Sequence, residues 1–128
     1  MPNTLADACI QIKNAEAARN KSLIITPASN LLQRILRIFQ AHAYIGEFEK
    51  YEDGRQNKFK INLLGKINKC KAIVPRLNVK VSQYEMFEKR FLPAKNFGLI
   101  IVSTSEGVMI HKEAKKKNLG GILLAYIY

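Results

Sequence analysis

Phe97–Ser103 is an almost wholly apolar run, and it stops at Ser103-Thr104-Ser105-Glu106-Gly107-Val108-Met109. A second apolar run, Gly121–Tyr128, follows the pair Gly120-Gly121. Both are short, and both read as strands. The first is a buried strand whose end carries three hydroxyls and a glycine. Short hydroxyls and a flexible glycine there let side chains and backbone N–H groups come close to an anion or a base edge. The chain is therefore expected to build a β-core with a polar, glycine-bearing segment at one end of it.

The remaining periodicities place elements around these strands. Thr4-Leu5-Ala6-Asp7 resembles a capping box with Asp in place of Glu, and Leu5, Ala8, Cys9, Ile12 and Ala15 recur at helical spacing, which predicts a helix over 5–18. Lys21–Thr26 reads as a short strand stopped by Pro27. Ser29 is placed to cap a helix running to about residue 43, with Leu32, Ile35, Phe39 and Ala43 as its core stripe. Tyr44–Tyr51 and Asn57–Leu63 alternate around Glu52-Asp53-Gly54-Arg55, a hairpin pattern with Asp-Gly at the turn.

From Gly65 the chain becomes more basic. Lys71–Val74 and Leu77–Val81 read as strands around Pro75, which suits an edge or a bulge. Ser82-Gln83-Tyr84-Glu85 has the form of a capping box for a helix to about Phe91, ended by Pro93. A short helix around His111–Lys117 is expected after the hydroxyl segment. The fold class is α+β: two small lobes in contact, an N-terminal α-β-α-β-β lobe over 1–64 and a C-terminal lobe over 65–128, mostly β with short helices.

Charge is placed unevenly. The net charge is +11; residues 1–64 hold nine basic and six acidic residues, and 65–128 hold twelve and four. Between Asp53 and Glu85 there is no carboxylate, while Arg55, Lys58, Lys60, Lys66, Lys69, Lys71, Arg76 and Lys80 accumulate. Solvated surfaces mix both signs, so an acid-free basic stretch points to a polyanion, whose bound counterions are released on binding. Lys66, Lys69, Lys71 and Arg76 are candidate phosphate contacts, as are Lys112, Lys115, Lys116 and Lys117 on and after the late helix. The latter group also fits favourable charge at a helix C-terminus.

Other function classes find little support. No apolar run approaches the roughly 20 residues of a membrane span, and no signal peptide is seen at the N-terminus. Cys9 and Cys70 form no Cys-x-x-Cys, and Cys9 falls on the apolar face of the first helix. His42 and His111 lack metal-ligand spacing, and no phosphate-binding loop, dinucleotide fingerprint or nucleophile elbow occurs. No catalytic set, metal, cofactor or small-molecule substrate is expected.

The hydroxyl segment, together with Leu5-Ala6-Asp7, Ile12-Lys13-Asn14-Ala15 and His42-Ala43-Tyr44-Ile45-Gly46-Glu47-Phe48, resembles the small-subunit ribosomal protein eight family, and the likeness reaches Tyr128. Leu64-Gly65-Lys66-Ile67-Asn68-Lys69-Cys70 and Pro75-Arg76 look like its archaeal and cytosolic eukaryotic branch. The resemblance implies a structural constituent of the small ribosomal subunit in the cytoplasm. Its partners would be a central-domain helix of the small-subunit rRNA and neighbouring ribosomal proteins, and it would support assembly and translation. Roles in RNA binding carry over to Ser103, Thr104, Ser105 and Gly107, to Gly120 and Gly121, and to Lys13 and Asn14 of a second contact region. The chain departs from the family at Ile122, where bacterial members carry an acidic residue, and at Asn30, where lysine is usual. A free regulatory RNA-binding protein recognising a similar stem is the alternative, separated by co-sedimentation with small subunits in moderate salt.

Overall fold

The structure is a computed structural model that describes residues 4–25, 29–54, 56–94 and 97–128. The side chain of Thr4 in the expected capping box, the Thr26-Pro27 strand stop and Arg55 of the expected turn and basic stretch lie outside the described residues. The chain divides into two compact units, Met1–Asn68 and Lys69–Tyr128.

The first unit has the expected α-β-α-β-β order: α1 (Thr4–Ala17), β1 (Ser22–Ile25), α2 (Asn30–Ala41), β2 (Ile45–Asp53) and β3 (Gln56–Leu63). Its strands form an antiparallel sheet in the order β1-β3-β2. In β3, Phe59 and Ile61 are buried while Lys60 and Asn62 are exposed, so one face is covered and the other is polar. Leu5, Ala8, Cys9, Ile12 and Ala15 of α1 are all buried, as their helical spacing requires.

Ser29 caps α2 by accepting the Leu32 N–H at 3.1 Å. Leu32, Ile35, Leu36 and Phe39 are its buried stripe. Ala43 is not part of that stripe. It lies beyond the helix, exposed and left-handed at φ 61°, while the Tyr44 N–H reaches back to the Phe39 carbonyl at 2.9 Å. Alanine carries no sequence signal for a stop; the backbone closure ends the helix. The β2–β3 turn is likewise displaced by one residue. Asp53 pairs with Gln56, so Asp53 is the last strand residue and Gly54, at φ 66°, opens the two-residue connection.

The second unit comprises β4 (Cys70–Val79), a 3₁₀ turn (Val81–Gln83), α3 (Tyr84–Phe91), β5 (Leu99–Thr104), β6 (Gly107–Ile110), α4 (His111–Lys116) and β7 (Gly121–Ile127). Its antiparallel sheet runs β4-β7-β5-β6. The two strands expected around Pro75 are one edge strand, with a register shift between Ala72 and Leu77 that accommodates the proline's missing N–H. The expected Ser82–Glu85 cap is replaced by a reciprocal pair two residues earlier. The Gln83 side chain accepts the Lys80 N–H at 2.9 Å, and the Gln83 N–H donates to the Lys80 carbonyl at 2.8 Å. Tyr84 and Phe87 of α3 and Ala114 of α4 join Val79, Ile100, Val102, Met109 and Leu123 in one core. Tyr84 Oη donates to the Leu119 carbonyl at 2.7 Å, fixing α3 to the connection between α4 and β7.

Candidate nucleic-acid interface

The sequence sets the hydroxyl segment between a strand and a helix. It is a β-hairpin. Ser103 and Thr104 are the last residues of β5, Ser105-Glu106 form the two-residue turn, and Gly107–Ile110 returns as β6. Thr104 pairs with Gly107, Ser103 with Val108, Val102 with Met109 and Ile101 with Ile110. Sequence carries the signal: Gly107-Val108-Met109-Ile110 is a short β-branched and apolar run behind a two-residue polar turn.

The three hydroxyls have different surroundings. Thr104 Oγ1 donates to the Gly107 carbonyl at 2.9 Å and accepts the Glu106 N–H at 3.2 Å, so it closes the turn from within. Among the described residues, Ser103 and Ser105 make no side-chain hydrogen bond within the chain; Ser103 is half-buried and Ser105 exposed. Gly107 has φ 117°, and a Cβ added to it would meet nothing within 4 Å. Its glycine requirement comes from backbone conformation, not crowding.

Gly120 and Gly121 lie beside this hairpin for the opposite reason. β7 pairs with β5, placing Ile122 against Ser103. A Cβ on Gly121 would run into the Ser103 carbonyl oxygen, and one on Gly120 would stand 2.7 Å from the Val79 carbonyl oxygen. The glycine pair therefore lets three strands converge at the hairpin's root.

The late lysines are only partly free. α4 follows β6 directly, and Lys112 and Lys116 are exposed on it. Lys115 Nζ lies 3.0 Å from Glu88 Oε1, and Lys117 Nζ lies 3.7 Å from Glu113 Oε1. The Glu88 carboxylate also holds His111, which sequence offered only as a histidine without metal-ligand spacing. His111 is 1% exposed; its Nε2 lies 3.2 Å from Glu88 Oε1, and its Nδ1 accepts the Ile100 N–H at 3.1 Å. Burial lowers its pKa from 6.5, against the opposing pull of Glu88, so a neutral ring donating from Nε2 fits both contacts. The ring thus ties β5, α3 and α4 together beneath the hairpin.

The other expected contacts are dispersed. Lys71 and Arg76 are exposed on β4, and half-buried Lys69 just precedes it, on the sheet edge opposite β6. Lys69 Nζ stands 5.7 Å from the centre of the Tyr126 ring, and its backbone exchanges hydrogen bonds with Tyr128 at 2.8 and 2.9 Å. Lys13, Asn14 and Lys66 belong to the first unit and are exposed. Lys13 and Asn14 lie within α1, which continues to Ala17. Ser29 spends its side chain on the α2 cap, and Asn30 is the first residue of that helix.

Among the described residues no cluster of His, Cys, Asp and Glu could hold a metal ion, and no helix is long and apolar enough to cross a membrane. The protein-family comparison matches the model for ribosomal protein S8 over residues 3–128. Nearly the whole chain is covered, hairpin and glycine pair included. The chain belongs to the ribosomal protein S8 family, structural constituents of the small ribosomal subunit that bind rRNA.

Proposed function

We propose that the β5–β6 hairpin is the recognition element of this chain, and that it grips an irregular helix of the central domain of the small-subunit rRNA. One observation carries this reading: at the hairpin tip the middle hydroxyl, Thr104, is consumed by the turn, while Ser103 and Ser105 on either side retain theirs. A turn that satisfies itself internally holds the flanking hydroxyls in place without occupying them. Irregular RNA offers unstacked bases and 2′-OH groups at which such hydroxyls discriminate. Lys112 and Lys116 on α4 supply sequence-independent phosphate attraction. Lys115 contributes less, being held by Glu88.

Gly120 and Gly121 act indirectly, by seating Ser103 at the end of its strand. Lys13, Asn14 and Lys66 form a weaker second contact surface on the first unit. By holding RNA elements together the protein favours their compact arrangement and so supports assembly. The stretch from Leu64 to Arg76 resembles the archaeal and cytosolic eukaryotic branch, which supports a cytoplasmic small subunit as the setting. Chemical footprinting of small-subunit rRNA with and without the protein tests this reading. Protection should concentrate on one irregular central-domain helix and vanish with Gly107→Val. Protection spread evenly over regular duplex would refute it.

A further inference from the structure

The second unit carries a row of aromatic rings that the hairpin does not use. From α3 to β7, the Phe87 and Phe91 rings lie 6.1 Å apart and 9° from parallel, and Phe91 and Tyr126 lie 5.1 Å apart at 26°. Tyr126 and Tyr128 continue the row at 6.3 Å and 16°. Beside it, between α3 and the edge strand β4, is a groove of about 140 Å³ lined by Phe91, Tyr126, Val74 and Pro75, with Lys71 and Arg90 among its walls. Among the described residues no carboxylate lines it. Arg90 already lies over the Phe91 ring at 5.3 Å, and Lys69 over Tyr126 at 5.7 Å. Among the described residues Lys71 and Arg90 have no ion-pair partner.

The edge strand restricts what can bind here. Pro75 offers no N–H and the β4 register shifts around it, so an added peptide strand would find a broken ladder. The groove's chemistry is instead apolar within, with half-buried Phe91 as its aromatic wall and Tyr126 buried behind it, and cationic at its margin. That suits a ligand with a flat, weakly polar part joined to an anionic one. We propose that this groove binds one unstacked base of single-stranded RNA, with Lys71 and Arg90 taking its flanking phosphates. The choice of RNA over an acidic protein segment rests on the rRNA-binding reading above. The sites are separate: the groove lies at the opposite edge of the sheet from β6. Along β7, Tyr126 is four residues from Ile122, the residue facing Ser103, or about 13 Å.

The chain has no tryptophan, so Phe91→Trp supplies a clean reporter. Pentaadenylate should quench its emission saturably, more weakly as salt rises. Adding Val74→Glu puts a carboxylate at a position 63% exposed, where folding should be unaffected. It should weaken pentaadenylate binding at least roughly tenfold, and Val74→Glu in the otherwise unaltered chain should weaken binding to a small-subunit rRNA transcript with no change in melting midpoint. Gly107→Val should leave the pentaadenylate quench intact, whatever it does to rRNA, so the groove and the hairpin are judged separately. Absent quenching, together with unchanged rRNA affinity for Val74→Glu, would overturn the proposal. Retained rRNA affinity in Val74→Glu with lost incorporation into subunits would overturn it too, assigning the groove to a neighbouring protein.

Discussion

The β5–β6 hairpin has a tip and a root, and glycine is required at both for unrelated reasons. At the tip, Gly107 takes a φ of 117° in open space. At the root, Gly121 has no room, because the Ser103 carbonyl occupies the place of its Cβ. The tip is exposed at Ser105 and Glu106, while the root is bounded by Ile101, Val102 and His111, all buried. A side chain at the tip meets solvent, and RNA on the reading proposed above; a side chain at the root meets the core. Substitutions at the two ends should therefore separate binding from folding.

Gly121→Val should have the largest effect. Its Cβ has no place without parting β7 from β5, and neither strand can yield, since Leu123 and Ile101 beyond them are fully buried. A loss of more than about 4 kcal/mol is expected, enough to abolish cooperative unfolding. Urea titration followed by circular dichroism checks this; a folded variant within about 1 kcal/mol of the parent would show that the root tolerates crowding.

His111→Ala comes next. It strips the Ile100 N–H of its acceptor and Glu88 of its buried partner, while leaving a cavity beside Ala114. The expected cost is about 2–4 kcal/mol in the same titration. The histidine also makes stability depend on pH. Burial lowers its folded-state pKa from 6.5, so the unfolded chain takes up a proton more readily than the native one. Its contribution is therefore whole above about pH 6.5 and lost as pH falls through the lowered folded value. Melting midpoints recorded from pH 8 to pH 5 should decline on the acid side, and His111→Gln should flatten that decline.

What the sequence disclosed follows the same division. Periodicity located α1, α2, β2, β3, β5 and β7, because each buries one regular stripe or run against a core. The element boundaries it missed are those closed by backbone geometry. Ala43 ends α2 from a left-handed conformation that nothing in its side chain announces. β6 carries a signal, its short apolar run behind a two-residue polar turn, but four residues are too few for alternation to outweigh the helix expected immediately afterwards. Within the candidate site, residue types were legible and their commitments were not. Ser103, Thr104 and Ser105 look interchangeable in sequence, yet only the register that pairs Thr104 with Gly107 turns one hydroxyl inward. Lys115 and His111 gave no sign of Glu88, which lies more than twenty residues earlier in the chain.

At the tip, Gly107→Val should cost only about 1–3 kcal/mol of stability, since the strain is conformational and the space is open. RNA affinity should nevertheless fall more than tenfold, because relieving the strain rotates the turn that presents Ser105. Filter binding beside a melting curve measures both quantities. Intact affinity in the folded variant would remove the tip from the recognition surface. Replacing Lys112 and Lys116 by Ala should be milder and of another kind, weakening cognate and unrelated RNA alike and reducing the salt slope by about two.

Ser105→Ala should be the smallest change in the folded protein, within about 0.5 kcal/mol, because the hydroxyl is exposed and bonds nothing within the chain. Its effect should appear only as discrimination. If the hydroxyl is buried against a base or a 2′-OH in the complex, losing it leaves that RNA group unpaired at a cost of about 1–2 kcal/mol on the cognate stem and almost none on unrelated RNA. Thr104→Val is its counterpart. That change breaks the turn's internal bonds to Gly107 and Glu106, so it should lower stability and affect every RNA together. The ratio of cognate to unrelated affinity, measured for both variants at one salt concentration, distinguishes a hydroxyl that reads from one that holds the reader in place. An equal loss on all RNAs from Ser105→Ala would move Ser105 into the second class and leave Ser103 as the remaining candidate for specificity.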